Sequence, residues 1–236
     1  NWTSGLFSCL YALDINKKQE VIVPNITFAA TVNAVLLTGA KVVLCEIDEN
    51  TLCLDVKKLK KLITKKTKAI IPVHLYGNCC NMDEIKKIIK NKKIKIIEDA
   101  AQALGVKYKG THAGTLGDVG GYSFYGNKLI TCGEGGAAVT NNKKIYKRLY
   151  QIKNHGRSKK GVFKHESIGF NFATTEMQSL IGLSQLNKLK RIIKKKEFIY
   201  KNYKKLLNKK FVNYITIENQ TVPVHWFTNI VVKNAS

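Results

Sequence analysis

The stretch Ile94-Lys95-Ile96-Ile97-Glu98-Asp99-Ala100-Ala101-Gln102 decides how the rest of the chain is read. Residues 94–98 form a short apolar run of the kind found in strands covered on both faces, and a second carboxylate follows directly. Ligands in open α/β sheets bind outside the carboxyl ends of the strands, which makes Asp99 a candidate site residue. Capping a following helix is an equally good use for it on this segment alone.

Working outward, strand-like and helix-like segments alternate. Residues 20–24 (EVIVP), 41–47 (KVVLCEI) and 69–74 (AIIPVH) read as strands. Residues 28–38, 56–63 after Asp55, and 82–91 after Asn81 read as helices, with Asp55 and Asn81 placed as N-caps. This order predicts an α/β fold with a mostly parallel central sheet. Beyond the opening stretch, 119–125 and 136–140 read as two strands with a glycine-rich connection too short for a crossover helix. Residues 143–154, 175–189 and 191–207 then read as helices, the last one long and basic.

The chain has 236 residues and a formal charge of +24, from 40 Lys+Arg against 16 Asp+Glu. Such a balance ordinarily raises nucleic-acid binding, but the arginines are only Arg148, Arg157 and Arg191. Arginine is the preferred reader of phosphates and base edges. The lysines are spread over helix faces, so a compositional bias accounts for the charge and no specific nucleic-acid partner is expected. No apolar run reaches membrane-spanning length. Six cysteines, at 9, 45, 53, 79, 80 and 132, form no CxxC pair. They predict free, buried thiols in a reducing, cytoplasmic compartment (the host's, should the source be a virus), and no metal site. Both ends read as truncations.

Two more segments carry polar groups at positions suited to chemistry. In Ser123-Phe124-Tyr125-Gly126-Asn127-Lys128, a lysine stands between a strand and the glycine turn Gly133-Glu134-Gly135-Gly136. Taken alone, Lys128 reads as a surface residue. Thr3-Ser4-Gly5 enters a helix over 6–13, where backbone N–H groups suit a phosphate or simply an ordinary capped helix.

Taken in order, these pieces resemble the sugar aminotransferases of the DegT/DnrJ/EryC1/StrS type. The resemblance is carried by TSG at 3–5, EVIVPNITFAATVNAVLLTGAKVV at 20–43, TKAIIPVHLYGNCCNMDEI at 67–85, IIEDAAQALGVKYKG at 96–110, GTLGDVGGYSFYGNKLITCGEGGAAVT at 114–140, KNHGR at 153–157 and IGFNFATTEMQSLIGLSQL at 168–186. It covers almost the whole chain. It implies a fold-type I large domain over 1–185, followed over 186–236 by a linking helix and the start of a small C-terminal domain.

The resemblance also implies a cofactor, pyridoxal 5′-phosphate, and a role for each matching residue. Lys128 falls on the Schiff-base position, and Asp99 on the acid that pairs with the pyridine nitrogen and keeps it protonated. Gln102 matches the side chain beside the phenolic oxygen, and Phe28 the aromatic that stacks on the ring. Ser123, Ser4 and Gly5 match phosphate contacts. Asn171 matches an asparagine that reaches the phosphate in the neighbouring subunit, which implies a homodimer. His74, Tyr76 and His155 are candidates for the substrate side, or else buried hydrogen-bonded residues. Leu6 stands where a hydroxyl residue is usual, predicting one phosphate bond fewer, and Ala173 follows Phe172 where a basic residue is usual.

The implied reaction is transamination from glutamate to a nucleotide-linked keto-sugar, with a 4-keto-6-deoxyhexose favoured and a viosamine- or perosamine-like product. Two alternatives accompany it. Related dehydratases carry histidine at the lysine position, which Lys128 argues against. A basic nucleic-acid-binding protein on a decayed scaffold would not need to retain Lys128, Asp99, Gln102, Ser123 and Asn171 together.

Overall fold

The structure is a computed structural model describing residues 1–159 and 161–232. A six-stranded sheet in the order β2-β1-β3-β4-β7-β8 forms its centre. Its strands are β1 (Glu20–Pro24), β2 (Lys41–Cys45), β3 (Thr67–Ile70), β4 (Lys95–Asp99), β7 (Val119–Ser123) and β8 (Gly136–Val139). The first five run parallel and β8 is antiparallel to β7. The glycine-rich connection before β8 therefore does what its length demanded and simply reverses the chain. Between β4 and β7 lies a small hairpin, β5 (Lys107–Tyr108) and β6 (Thr111–His112).

The helices are α1 (Trp2–Ala12), α2 (Ala29–Leu37), α3 (Val56–Leu62), α4 (Met82–Ile89), α5 (Lys143–Lys153) and α6 (Glu176–Leu206). Asp55 and Asn81 cap α3 and α4 as their spacing predicted, each accepting from backbone N–H groups of the first turn. Two hydrophobic clusters cover the two sides of the sheet. One contains Leu6, Leu10, Val21, Val35, Ile71 and Ile97, and the other Ile22, Leu59, Ile70, Met82, Ile85 and Ile96. Alternation along β1 and β4 (Val21/Ile22, Ile96/Ile97) divides neighbouring residues between the clusters, as the two-residue period of a strand requires. All six cysteines are free and buried.

The C-terminal part differs from expectation. Residues 175–189 and 191–207 are not two helices but one: α6 runs unbroken for 31 residues, opened by a capping box of Thr175 and Gln178. Lys190 and its neighbours are good helix formers, with neither proline nor glycine to interrupt them. The anticipated boundary near residue 185 thus falls inside α6. After α6 come β9 (Val212–Asn213), β10 (Thr221–Val222) and β11 (Val231–Val232). The chain here folds back onto the first body: β10 pairs with β5, and Val224 and Trp226 belong to the cluster of Ile22. Residues 233–236 of the expected C-terminal unit lie outside the described residues.

Candidate active site

The carboxyl ends of the parallel strands point to one end of the sheet, where the topology of such folds places ligands. A cavity of about 310 Å³ lies there, at the small end of the range for ligand pockets. Asp99 enters from the end of β4, Ser123 from the end of β7, Phe28 from the segment after β1, and Thr3 from α1; Gln102 and Lys128 also line it, and a second carboxylate, Glu134, stands at its edge.

Asp99 is 4% exposed, and three neutral donors hold its carboxylate. Oδ1 accepts from the Trp2 indole Nε1 (2.8 Å) and the Ala101 N–H (3.2 Å), and Oδ2 from the Thr31 hydroxyl (2.8 Å). The Ala101 contact is the local turn that a capping reading of Asp99 anticipates, but no helix follows it.

Lys128 is not a surface lysine. Its Nζ lies 4.1 Å from the centre of the Trp226 ring, whose own Nε1 donates to the Asn127 carbonyl at 2.9 Å. Burial holds the Lys128 amine below the ordinary lysine range, with the Asp99 charge pulling it partly back. A lysine that gives up its proton more readily is what amine chemistry at neutral pH needs.

Gln102 accepts from the Tyr76 N–H through Oε1 (2.9 Å), which fixes the amide orientation; its nitrogen makes no bond among the described residues. Tyr76 itself has a left-handed backbone (φ 52°), and its ring borders a wider depression shared with His225 and Trp226. The Ser123 hydroxyl oxygen accepts from the Tyr125 N–H (3.3 Å), leaving its proton to donate. Phe28 is 72% exposed at the mouth of the cavity, an aromatic face without a covering partner.

Other expected site residues stand elsewhere. Helix α1 begins at Trp2, so Ser4 and Gly5 lie inside its first turn: the Ser4 N–H and hydroxyl donate to Asn1 Oδ1, and the Gly5 N–H to the Asn1 carbonyl. Neither lines the cavity; the residue of this segment that does is Thr3. Leu6 is a fully buried core residue and does not line the cavity.

His74 is fully buried and faces inward. Its Nδ1 accepts from the Cys80 N–H (3.1 Å), which fixes the neutral tautomer, and Nε2–H donates to Glu98 Oε2 (2.9 Å). No face of the ring is open to a substrate, so the alternative of a buried, bonded histidine is the one realised. His155 (φ 56°) and Asn171 are exposed on the irregular segment between α5 and α6, outside this chain's cavity.

Trp2, Thr31 and Trp226 escaped the sequence reading. Their contacts with Asp99 and Lys128 span 97, 68 and 98 positions, as subtracting the residue numbers shows, and no local pattern announces them. Among the described residues no group of His, Cys, Asp and Glu could hold a metal ion, and no helix is long and apolar enough to cross a membrane.

The cavity fits pyridoxal phosphate group by group. A phosphate can meet the Thr3 and Ser123 hydroxyls, a cationic ring nitrogen Asp99, an aldehyde Lys128, and a flat ring Phe28.

Known proteins agree with this fit. GDP-perosamine synthase of Escherichia coli O157:H7 is 40% identical over 238 residues, covering 100% of this chain and 64% of that protein. The GDP-perosamine synthase of Caulobacter vibrioides is 42% identical over 189 residues, 80% of this chain and 51% of its own length. The chain thus spans about half to two thirds of the length of these relatives. Among solved structures, S. venezuelae DesV in complex with a ketimine intermediate superposes with a TM-score of 0.93 at 33% identity, over 99% of this chain and 63% of that one. The sequence profile of the DegT/DnrJ/EryC1/StrS aminotransferases, a pyridoxal-phosphate-dependent family, matches residues 1–236 from end to end, and the chain belongs to that family.

Proposed function

We propose that this protein transfers an amino group from glutamate to a keto-sugar carried on a nucleoside diphosphate, using pyridoxal phosphate held on Lys128. The observation that carries this reading is the convergence of Lys128 and Asp99 on one cavity, the first with its amine partly desolvated, the second held only by neutral hydrogen-bond donors and in no ion-pair contact among the described residues. The cofactor, once bound, supplies an electron sink for the carbon that loses its proton. Asp99 would keep the ring nitrogen protonated by its negative charge. The Lys128 amine, freed when the donor binds, would take and return the proton at the reacting carbon. Ser123 and Thr3 would hold the phosphate, Gln102 would donate toward the phenolic oxygen through its unengaged amide nitrogen, and Phe28 would cover the ring.

The relatives' names favour a 4-keto-6-deoxyhexose on GDP and a perosamine-like product. The protein would act as a homodimer in the cytoplasm. In support of a second copy, α2 exposes Leu36 and Leu37, and α6 exposes Met177, Leu180, Ile181 and Leu183 ahead of Leu189, Ile192 and Ile193, which pack on this chain's own core. Asn171 lies outside its own chain's cavity and would serve the partner's site. Tyr76 would border the substrate, with His155 approaching it from the partner. The segment from α6 onward would open the small C-terminal domain, and the alternatives of dehydration or nucleic-acid binding find no support in a site built around a lysine.

The test is the visible spectrum of the protein with pyridoxal phosphate, for wild type and Lys128→Ala, before and after glutamate. A visible band in wild type that bleaches with glutamate, and that Lys128→Ala lacks, is expected. The same spectrum in both proteins would remove Lys128 from its assigned place.

A further inference from the structure

Trp2 has no counterpart in the chemistry assigned so far, yet it is buried to 4% exposure and its indole reaches the carboxylate at the centre of the site. The fold makes room for it at three places. A Cβ on Gly121 would stand 2.2 Å from Trp2 Cζ3, one on Gly5 2.5 Å from Cε3, and one on Gly136 2.9 Å from the Trp2 backbone. Real Cβ atoms do not approach so closely: the indole requires Gly5, the indole and the Ala137 carbonyl together require Gly121, and the Trp2 backbone requires Gly136. Glycine weakens a helix interior and a strand; α1 and β7 accept it beside this side chain, and β8 beside its backbone. Gly121 is also the residue that faces Asp99 in the β4–β7 register. The indole therefore lies over β7 and delivers Nε1–H to the neighbouring strand.

The choice of donor matters chemically. Indole Nε1–H is a donor only and does not titrate. The other two groups on Asp99, the Thr31 hydroxyl and the Ala101 N–H, are neutral as well. Lysine or arginine in the place of Trp2 would form an ion pair and compete with a cationic ligand for the carboxylate. A neutral, rigid donor fixes the carboxylate's rotamer while leaving its charge unspent.

We infer that Trp2 is a positioning residue for the site: clamped in its glycine trough, it orients Asp99 by one neutral hydrogen bond and reserves that carboxylate's charge for the ring nitrogen of the cofactor. The inference rests on the cofactor reading above and assigns a role to a residue outside it.

The experiment is a titration of the protein with pyridoxal phosphate, followed by visible absorption across a pH series, on wild type, Trp2→Phe, Gly5→Ala and the double variant. Trp2→Phe deletes the donor and keeps the ring. Gly5→Ala keeps the donor and displaces the ring, because the three atoms nearest its Cβ all belong to the indole. A hydrogen bond to a charged group corresponds to about ten- to a hundredfold in affinity. Each single variant is expected to weaken cofactor binding by about tenfold or more and to shift the pH midpoint of the visible band. The double variant should be no weaker than the worse single, because both act on one bond. Should Trp2→Phe fail to fold by circular dichroism, Gly5→Ala carries the same test. Cofactor affinity and pH midpoint unchanged in a folded Trp2→Phe or Gly5→Ala variant would overturn the role of Trp2 alone. A wild type that takes up no cofactor would overturn it together with the functional reading.

Discussion

Glu98 and Asp99 are neighbours on β4, both carboxylates and both buried, yet they serve opposite sides of the sheet. Glu98 faces the loop after the β5–β6 hairpin. Its oxygens accept from His74 Nε2 (2.9 Å), the Gly114 N–H (2.7 Å), the Leu116 N–H (2.5 Å) and the Gly117 N–H. Four donors saturate it, and no lone pair remains for a ligand. Asp99 has three donors, none charged, and lines a cavity. What separates a structural carboxylate from a chemical one here is not burial or residue type but whether the protein has used all of the group's valences.

The largest expected effect comes from breaking the saturated member. Glu98→Ala strands His74 Nε2–H and the Gly114 N–H in the buried interior, each costing about 1–3 kcal/mol, and unpairs the partly buried Leu116 and Gly117 N–H groups. A loss of at least about 3 kcal/mol is expected, lowering the melting temperature by about 10 °C for a chain of this size. Thermal unfolding checks it. A melting point within a degree or two of wild type would mean that water replaces the carboxylate and that the loop over 114–117 is held by other means.

Asp99→Asn is the matching change on the other face, and its signature should be catalytic instead. The amide keeps an oxygen for Trp2 or Thr31 and costs the fold little, but it removes the charge proposed to face the ring nitrogen. Removing a group aimed at developing charge typically costs about 10²–10³ in rate. The proposed half-reaction with glutamate, followed by bleaching of the visible band in single turnovers, is expected to slow by that factor while the melting temperature holds. Slowing by less than about fivefold would place the ring nitrogen away from Asp99.

The same pair shows how much of the molecule its sequence discloses. The alternation of short apolar strands and capped helices was legible because each signal is local: Asp55 and Asn81 lie within three residues of the groups they cap. The position of Asp99 at a strand end was legible for the same reason. The division of labour between Glu98 and Asp99 was not, since it depends on His74, on the 114–117 loop and on Trp2, all brought in from afar. The start of α1 was set at residue 6 rather than at Trp2, putting Ser4 and Gly5 ahead of the helix, because a helix N-terminus is ambiguous by several residues without its cap, and Asn1 supplies that cap. The continuity of α6 was obscured by the basic cluster Lys188, Lys190 and Arg191, which reads as a break in the pattern although lysine and arginine are good helix formers.

A smaller effect distinguishes the two carboxylates by acid. Burial by itself would raise the Glu98 carboxyl, but the His74 and backbone donors outweigh it and hold its pKa below the ordinary glutamate value. Such a group contributes stability at pH above its unfolded pKa, about 4.3, and that contribution drains away as the pH falls through this value toward the folded one. Glu98→Gln should therefore flatten the fall in stability below about pH 5 relative to wild type. Identical acid-unfolding slopes in urea melts at pH 3–6 would mean that other carboxylates set the transition.

The smallest effect tests whether Asp99 and Lys128 act on each other across the cavity. Burial lowers the Lys128 pKa and the Asp99 charge opposes that shift, so neutralising Asp99 should lower the amine further. In Asp99→Asn, the pH midpoint for reaction of Lys128 with a small amine-directed reagent, read by peptide mass mapping, is expected to move down by a fraction of a pH unit. The direction is diagnostic. A donor such as Trp2 can fix the rotamer of Asp99 without altering its charge, so Trp2→Phe should leave this midpoint almost where it was while weakening the cofactor. If Asp99→Asn moved the midpoint upward, Lys128 would be neutralised by some group other than burial. If Trp2→Phe moved it as far as Asp99→Asn does, the indole would be tuning the carboxylate's charge rather than its orientation, and Glu98 and Asp99 would differ by electrostatics more than by valence.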